Sequence, residues 1–267
     1  MNLLGGVGLM CILIVNFYIM KGVILCGGKG TRLLPATKNI NKHLVPILNT
    51  PMVMFPLETL KSLGIRDILI VSGGDHIGGF TEFLGDGSDF DVNLTYRVQQ
   101  SAGGIAQALG LAEAFSGRES VAVILGDNIF DHGVEMDVPF VTDGKAHLFV
   151  KEMPAEEARR FGVVQSNVIT GDHIIEKPQN IETETARVVT GLYVYPPEVF
   201  DIIKMQKPSA RGEYEITDIN NYFLLSGTCK IHEIKGFWSD SGTPESLFIT
   251  TEWAYNNSKK QKDGYSH

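Results

Sequence analysis

Apolar residues in the first half of the chain come in short unbroken runs, Val23-Ile24-Leu25, Ile68-Leu69-Ile70-Val71 and Val121-Ala122-Val123-Ile124-Leu125. A run without polar alternation is what a strand buried on both faces requires. These runs predict strands over Lys21–Cys26, 67–71 and Val121–Leu125, with a further strand over 93–98. Helical stretches fall between them. Thr50 can cap a helix with Pro51 at its first position, running to residue 63, with Pro56 as a kink and Gly64 as the stop. Ile77–Leu84 and 104–115 read as two more helices. Strand and helix in alternation predict an α/β fold built on a doubly wound, mostly parallel sheet with helices on both faces.

The pattern changes after about residue 140. Segments 147–151, 162–165, 173–176 and 188–195 are short alternating runs, expected as partly antiparallel additions to the sheet. Ile216, Ile219, Phe223 and Leu224 have the spacing of one buried helix face within 213–225. A last helix is expected over 244–255, followed by a polar tail over 256–267. Residues 1–19 are almost wholly apolar and lack Lys and Arg. They have neither the basic start nor the cleavage site of a signal peptide, and they would enter the first strand with no linker. We read them as an upstream extension from a misplaced start, with a membrane anchor as the alternative.

Composition narrows the function classes. A net charge of −8 argues against a general nucleic-acid binder. Cys11, Cys26 and Cys229 are too few and scattered for a disulfide framework, which favours a reducing compartment and a cytoplasmic location. Cys26 is expected to be a small buried residue. The seven histidines show no constellation, and His43 and His132 read as loop residues.

Chemistry concentrates just after the first strand, in Leu25-Cys-Gly-Gly-Lys-Gly-Thr-Arg32. Gly27, Gly28 and Gly30 can turn tightly and bring bare N–H groups against a ligand. With Lys29 and Arg32 beside them, they suit a polyphosphate. Leu33 stands where a dinucleotide fingerprint needs its third glycine, and the Gly-Lys-Ser/Thr of a P-loop is absent. Asp127 follows the most apolar strand, at the strand end where open α/β sheets bind ligands. By itself it could equally be a turn aspartate. A second carboxylate, Asp240, lies in a short loop before a helix.

Gly-Gly-x-Gly-Thr-Arg-Leu-x-Pro-x-Thr, with Lys42 about ten residues past Arg32, resembles the opening of the sugar-nucleotide pyrophosphorylases, a Rossmann-like nucleotidyltransferase superfamily. Within it the chain is most similar to the glucose-1-phosphate thymidylyltransferases, from Met20 to about Tyr255. The resemblance implies a single nucleotidyltransferase domain over 20–267, with a nucleotide half (20–130) and a sugar-phosphate half (131–255) that includes a smaller β lobe. It implies transfer of a nucleotidyl group from dTTP to glucose 1-phosphate, giving dTDP-glucose and pyrophosphate. Asp127 and Asp240 would hold Mg²⁺, which needs few protein ligands when phosphates and water supply the rest. Arg32 and Lys42 would serve catalysis, and Gly27, Gly28, Gly30, Thr31 and Arg32 would cradle the triphosphate. Gln99 and the backbone of Gly104 would read the imide edge of thymine or uracil. That stretch could also be an ordinary helix N-terminus, with Gln107 a plain helix residue. The sugar phosphate would meet Asn128, Gly162, Glu176, Lys177, Val189, Tyr193 and Arg211. In isolation Glu176-Lys177 is a surface ion pair worth little.

Three other readings compete. A UTP-dependent uridylyltransferase shares the imide edge, and many relatives carry an acidic residue at the position of Gly103. A non-catalytic nucleotide-sugar sensor would have dispensed with Arg32, Lys42, Asp127 or Asp240. A nicotinamide dehydrogenase lacks its third glycine here. Longer relatives continue with helices that form subunit contacts and an inhibitory nucleotide site, so feedback inhibition is expected to be weak or absent. A homo-oligomer is left open.

Overall fold

Strands β1 (Lys21–Cys26), β2 (Asp67–Gly73), β3 (Asn93–Gln99) and β4 (Val121–Leu125) run parallel, side by side in the order β3-β2-β1-β4. The protein is described by a computed structural model covering residues 20–131, 143–167 and 171–264. Ile24 is in register with Ile70 on one side and Ile124 on the other. Side chains alternate across the pleat, so Ile24, Ile68, Ile70 and Ile124 face one core, while Val23, Leu25, Leu69 and Val123 face the other. The first core is closed by Leu57 and Leu60 of helix α1 (Met54–Ser62) and Phe80 of α2 (Ile77–Leu84). The second is closed by Ala106 and Leu109 of α3 (Ile105–Gly110). Leu57, Leu60 and Leu109 are fully buried, so truncating any one to alanine costs about 2–5 kcal/mol.

The second half completes a nine-stranded sheet among the described residues. It adds β5 (Ala146–Pro154), β6 (Gly162–Asn167), β7 (Gly171–Glu176), β8 (Thr185–Tyr195) and β9 (Cys229–Glu233). β8 joins the halves, lying antiparallel to β4 through Leu192–Tyr195 and to β5 through Thr185–Val189. Its pairing with β5 is irregular between Val189 and Tyr193. There the Gly191 N–H turns away and donates to Asn128 Oδ1 at 2.8 Å. β6 and β7 form an antiparallel hairpin, and β9 runs parallel to β5.

Several sequence expectations are corrected by packing. Thr50–Pro51 pairs antiparallel with Pro46–Ile47, and α1 starts only at Met54. Pro56 therefore falls in the first turn, where its missing N–H costs nothing, and it is no kink. The helix expected over 104–115 breaks after Gly110 and resumes as α4 (Glu113–Ser116). Two helices were not legible as such: α5 (Ala155–Ala158) and α6 (Val199–Met205). The helix α7 starts at Ile216 rather than 213, because Tyr214 is held to the glycine stretch, donating to Gly103 O at 2.8 Å. The polar tail is helical to residue 264 as part of α8 (Pro244–Gly264). His43 is no loose loop residue: it is buried in a single 3₁₀ turn, Lys42–Leu44. His147 and His232 do form a pair, with rings stacked 5.1 Å apart and Nδ1 of one 2.9 Å from Nε2 of the other. The expectations for residues 1–19 and His132 lie outside the described residues. No described helix is long and apolar enough to cross a membrane.

Candidate active site

The chain leaves β1 toward β2 on one side and later returns to β4 on the other, so the sheet's direction of growth reverses between β1 and β4. At such a point the two connections diverge and leave a crevice above the carboxyl ends of the strands. Gly27 and Gly28 follow β1 and Asp127 follows β4, and all three line one cavity of about 450 Å³. Gly126 makes this close approach feasible. A Cβ there would stand 2.7 Å from His43 Cδ2 and 2.8 Å from Cys26 Sγ.

Arg32, Lys42, Asp127 and Asp240 all line this cavity. Lys42 Nζ donates to Asp127 Oδ2 at 2.5 Å, and Asn128 Nδ2 donates to Oδ1 at 3.1 Å. Burial alone would raise the Asp127 pKa, but the Lys42 ammonium and these hydrogen bonds bring it below the ordinary carboxylate range. Asp240 is held by Arg160, whose Nη2 lies 3.0 Å from both carboxylate oxygens. Gly242 shows how tightly the loop closes: a Cβ there would lie 3.0 Å from Arg32 Nη2 and 3.5 Å from Asp127 Oδ2. The turn before it is strained, with Ser241 at φ 36°. His43 donates from Nδ1 to Asn41 Oδ1 at 2.6 Å, and burial beside Lys42 takes its pKa down to about 3, so it stays neutral. Cys26 is buried, and its thiol pKa is pushed far up by burial, so it is inert.

Other predicted residues take different places. Gly30 and Thr31 are not among the lining residues. Gly30 instead lies behind the loop at φ 62°, where a Cβ would meet Lys42 Cβ and Thr37 at 3.2 Å. Lys29 is exposed and does not line the cavity either. Asn128 lines the cavity, but its amide is committed to protein. Oδ1 accepts from Gly191 N–H and from Trp238 Nε1 at 2.7 Å, while Nδ2 holds Asp127.

Gln99, Ala102, Gly104 and Ile105 line the cavity. Gly104 has φ 98°, and a Cβ on it would sit 2.6 Å from Tyr214 O, so the position admits only glycine. Gly162, Glu176, Lys177, Val189, Tyr193 and Arg211 line the same cavity. Glu176 Oε2 accepts from Thr217 Oγ1 at 2.6 Å, and its Oε1 is 3.3 Å from Lys177 Nζ and 3.8 Å from Arg211 Nη2. Arg211 also pairs with Glu215 at 2.8 Å. Lys177 sits at φ 46°, a second strained non-glycine at the cavity. Burial and the nearby carboxylates Glu176 and Asp127 push the Tyr193 hydroxyl pKa up, so it remains protonated.

Sequence reasoning missed Arg160, Thr217, Glu215 and Trp238 at this site. Arg160 directly precedes the Phe161-Gly162 pair and Trp238 stands two residues before Asp240, so adjacency was the available signal. Thr217 and Glu215 enter through the pairing of α7 with the hairpin, which sequence does not display. Among the described residues no group of three or more His, Cys, Asp or Glu gathers to hold a metal. Asp127 and Asp240 are an oxygen-only donor pair, each already drawn to a side-chain cation. That set fits a hard divalent ion that takes its remaining ligands from phosphate and water.

The chain is 42% identical over 236 residues to a glucose-1-phosphate thymidylyltransferase of Neisseria meningitidis serogroup A, covering 85% of this chain and 80% of that one. It is 37% identical over 250 residues to a low-salt glycan biosynthesis nucleotidyltransferase of Haloferax volcanii, covering 92% and 69%. A crystal structure assigned as a glucose-1-phosphate thymidylyltransferase from Bacillus anthracis superposes with a TM-score of 0.80 at 44% identity, covering 88% and 95%. A UDP-glucose pyrophosphorylase complexed with UDP-glucose shares the fold, with a TM-score of 0.77 at 24% identity over 90% and 99%. The family model described as nucleotidyl transferase matches residues 21–255, and the chain belongs to that family.

Proposed function

We propose that the protein joins dTTP and α-D-glucose 1-phosphate to give dTDP-glucose and pyrophosphate. The observation that carries this is convergence. Cations and carboxylates from both halves of the sheet line one cavity, together with Gln99, Gly104, Glu176 and Arg211. An oxygen of the sugar phosphate attacks the α-phosphorus, and the bond from that phosphorus to the bridging oxygen breaks. The electron pair leaves with pyrophosphate. A phosphomonoester is largely dianionic at neutral pH, its second pKa being about 6, so no general base is needed. The neutral His43 is accordingly no part of a proton path.

The remaining task is to hold two polyanions together and stabilise the leaving charge. Arg32 and the Gly27–Gly28 backbone bind the triphosphate, with Gly30 shaping that loop from behind and Thr31 continuing it. Lys42 is set at the α-phosphate by its contact with Asp127. Asp127 and Asp240 would hold Mg²⁺, which when bound neutralises phosphate charge. Asn128 fixes the Asp127 carboxylate and supports the sugar wall through Gly191. Lys177 and Arg211 hold the sugar phosphate, Glu176 accepts from sugar hydroxyls, and Gly162, Val189 and Tyr193 form the wall. A nucleoside triphosphate substrate implies a cytoplasmic site of action.

The test is a panel of dTTP, UTP, CTP, ATP and GTP, each with glucose 1-phosphate and Mg²⁺, following pyrophosphate. Release is expected fastest with dTTP, with UTP the nearest competitor because it shares the imide edge. Turnover confined to CTP or a purine nucleotide would overturn the assignment.

A further inference from the structure

We infer that Gln107, which does not line the cavity, sets the polarity with which Gln99 meets the nucleobase. The inference rests on the functional reading above and adds a specificity-determining residue to it. Two backbone groups fix the arrangement, and neither can be reversed. The Gly103 N–H donates to Gln107 Oε1 at 3.0 Å, so that atom is an acceptor. Gln99 faces the same atom at 2.9 Å and must present its Nε2 there. The Gly104 carbonyl, 3.4 Å from Gln99 Nε2, favours the same orientation. Gln107 Nε2 is left to donate to Ser101 Oγ at 3.3 Å.

With its amine end committed, Gln99 has its Oε1 free on the side of Gly27. A Cβ on Gly27 would stand 3.0 Å from that oxygen. The base end of the cavity therefore offers a fixed acceptor. It complements a ring N–H such as N3–H of thymine or uracil and repels the bare N3 of cytosine or N1 of adenine. Gly103 is part of the device, since a Cβ there would lie 2.3 Å from Gln107 Nε2. Without Gln107 only the long contact with Gly104 O, 3.4 Å, still orients the Gln99 amide, which can then rotate and offer a donor instead.

The test compares the wild type with Gln107→Met, close in shape but without the amide, and Gln107→Glu, which keeps an acceptor for both donors. The ratio of kcat/KM for dTTP over CTP is the readout, with KM for glucose 1-phosphate as control. Gln107→Met should lower that ratio by about tenfold to a hundredfold, with the glucose 1-phosphate KM unchanged, and Gln107→Glu should restore it. An unchanged ratio in Gln107→Met, or an equal loss for both nucleotides, overturns the inference. A second measurement needs no variant: N3-methyl-dTTP, which lacks the ring N–H, should bind the wild type at least tenfold more weakly than dTTP. Equal binding overturns the inference. A wild type that binds neither dTTP nor UTP fails the functional reading itself. A selective wild type with an equally selective Gln107→Met leaves that reading standing and removes only this one.

Discussion

Lys42 and Asp127 form the most enclosed ion pair lining the cavity, with side chains 14% and 11% exposed. A buried pair is weak evidence for stability, because desolvation offsets most of the attraction. Its value lies in position: it holds a cation and a carboxylate side by side on the cavity wall. Asp127→Asn keeps the size and the hydrogen bond to Asn128 but removes the charge. We expect turnover to fall by about a hundredfold or more with the far-ultraviolet circular dichroism unchanged. Near-normal turnover would take Asp127 out of the chemistry. Asp240 differs, because Arg160 covers it with a partly exposed guanidinium that a substrate or ion can displace.

Two elements carry consequences of their own. The turn entering α3 depends on Gly104, whose φ of 98° and contact with Tyr214 leave no room for a side chain. Gly104→Ala is expected to destabilise the protein by about 1–3 kcal/mol and to weaken nucleotide binding more than sugar-phosphate binding. Denaturant unfolding and the two KM values check this. The pairing of β5 with β9 carries a pH dependence. Burial, then His147 and Lys230, lower the His232 pKa below its usual 6.5. The unfolded chain therefore takes up a proton that the folded chain resists, and stability falls as pH drops below about 6.5. Asp143, beside His147 and Lys230, has its pKa brought down to about 2 and stays ionised through that interval. His232→Phe keeps an aromatic ring against Phe149 and removes the titration. Its unfolding midpoint should change less than the wild type's between about pH 7.5 and about pH 5.5. An equal change would assign the effect elsewhere.

At the scale of the molecule, β8 joins a parallel half, which carries Arg32 and Lys42, to a mostly antiparallel half, which carries Glu176 and Lys177. If the halves divide the substrates, Arg211→Ala should raise KM for glucose 1-phosphate about tenfold or more with little change for dTTP, and Arg32→Ala should do the reverse. Steady-state kinetics with each substrate varied in turn decides it; both variants raising both constants equally would argue against the division. Much of the fold was legible beforehand. Unbroken apolar runs identified β1, β2 and β4, since a strand buried on both faces leaves no other pattern. The glycines after β1 and the carboxylate after β4 marked the crevice, because local backbone freedom and strand ends are written in sequence. Other features depended on residues distant along the chain. Gly30 and Thr31 stayed off the cavity lining, Asn128 was claimed by Gly191 and Trp238, and Arg160 reached Asp240 across eighty positions. Gln107 looked like an ordinary helix residue until Gly103 and Gln99 were seen to share its oxygen. Sequence alone determined which segments are buried and where the backbone lies bare after β1, since both follow from side-chain type and local geometry. Only the tertiary structure decided which polar groups face the ligand and which are consumed by the protein, because each hydrogen bond is settled by partners that folding brings together.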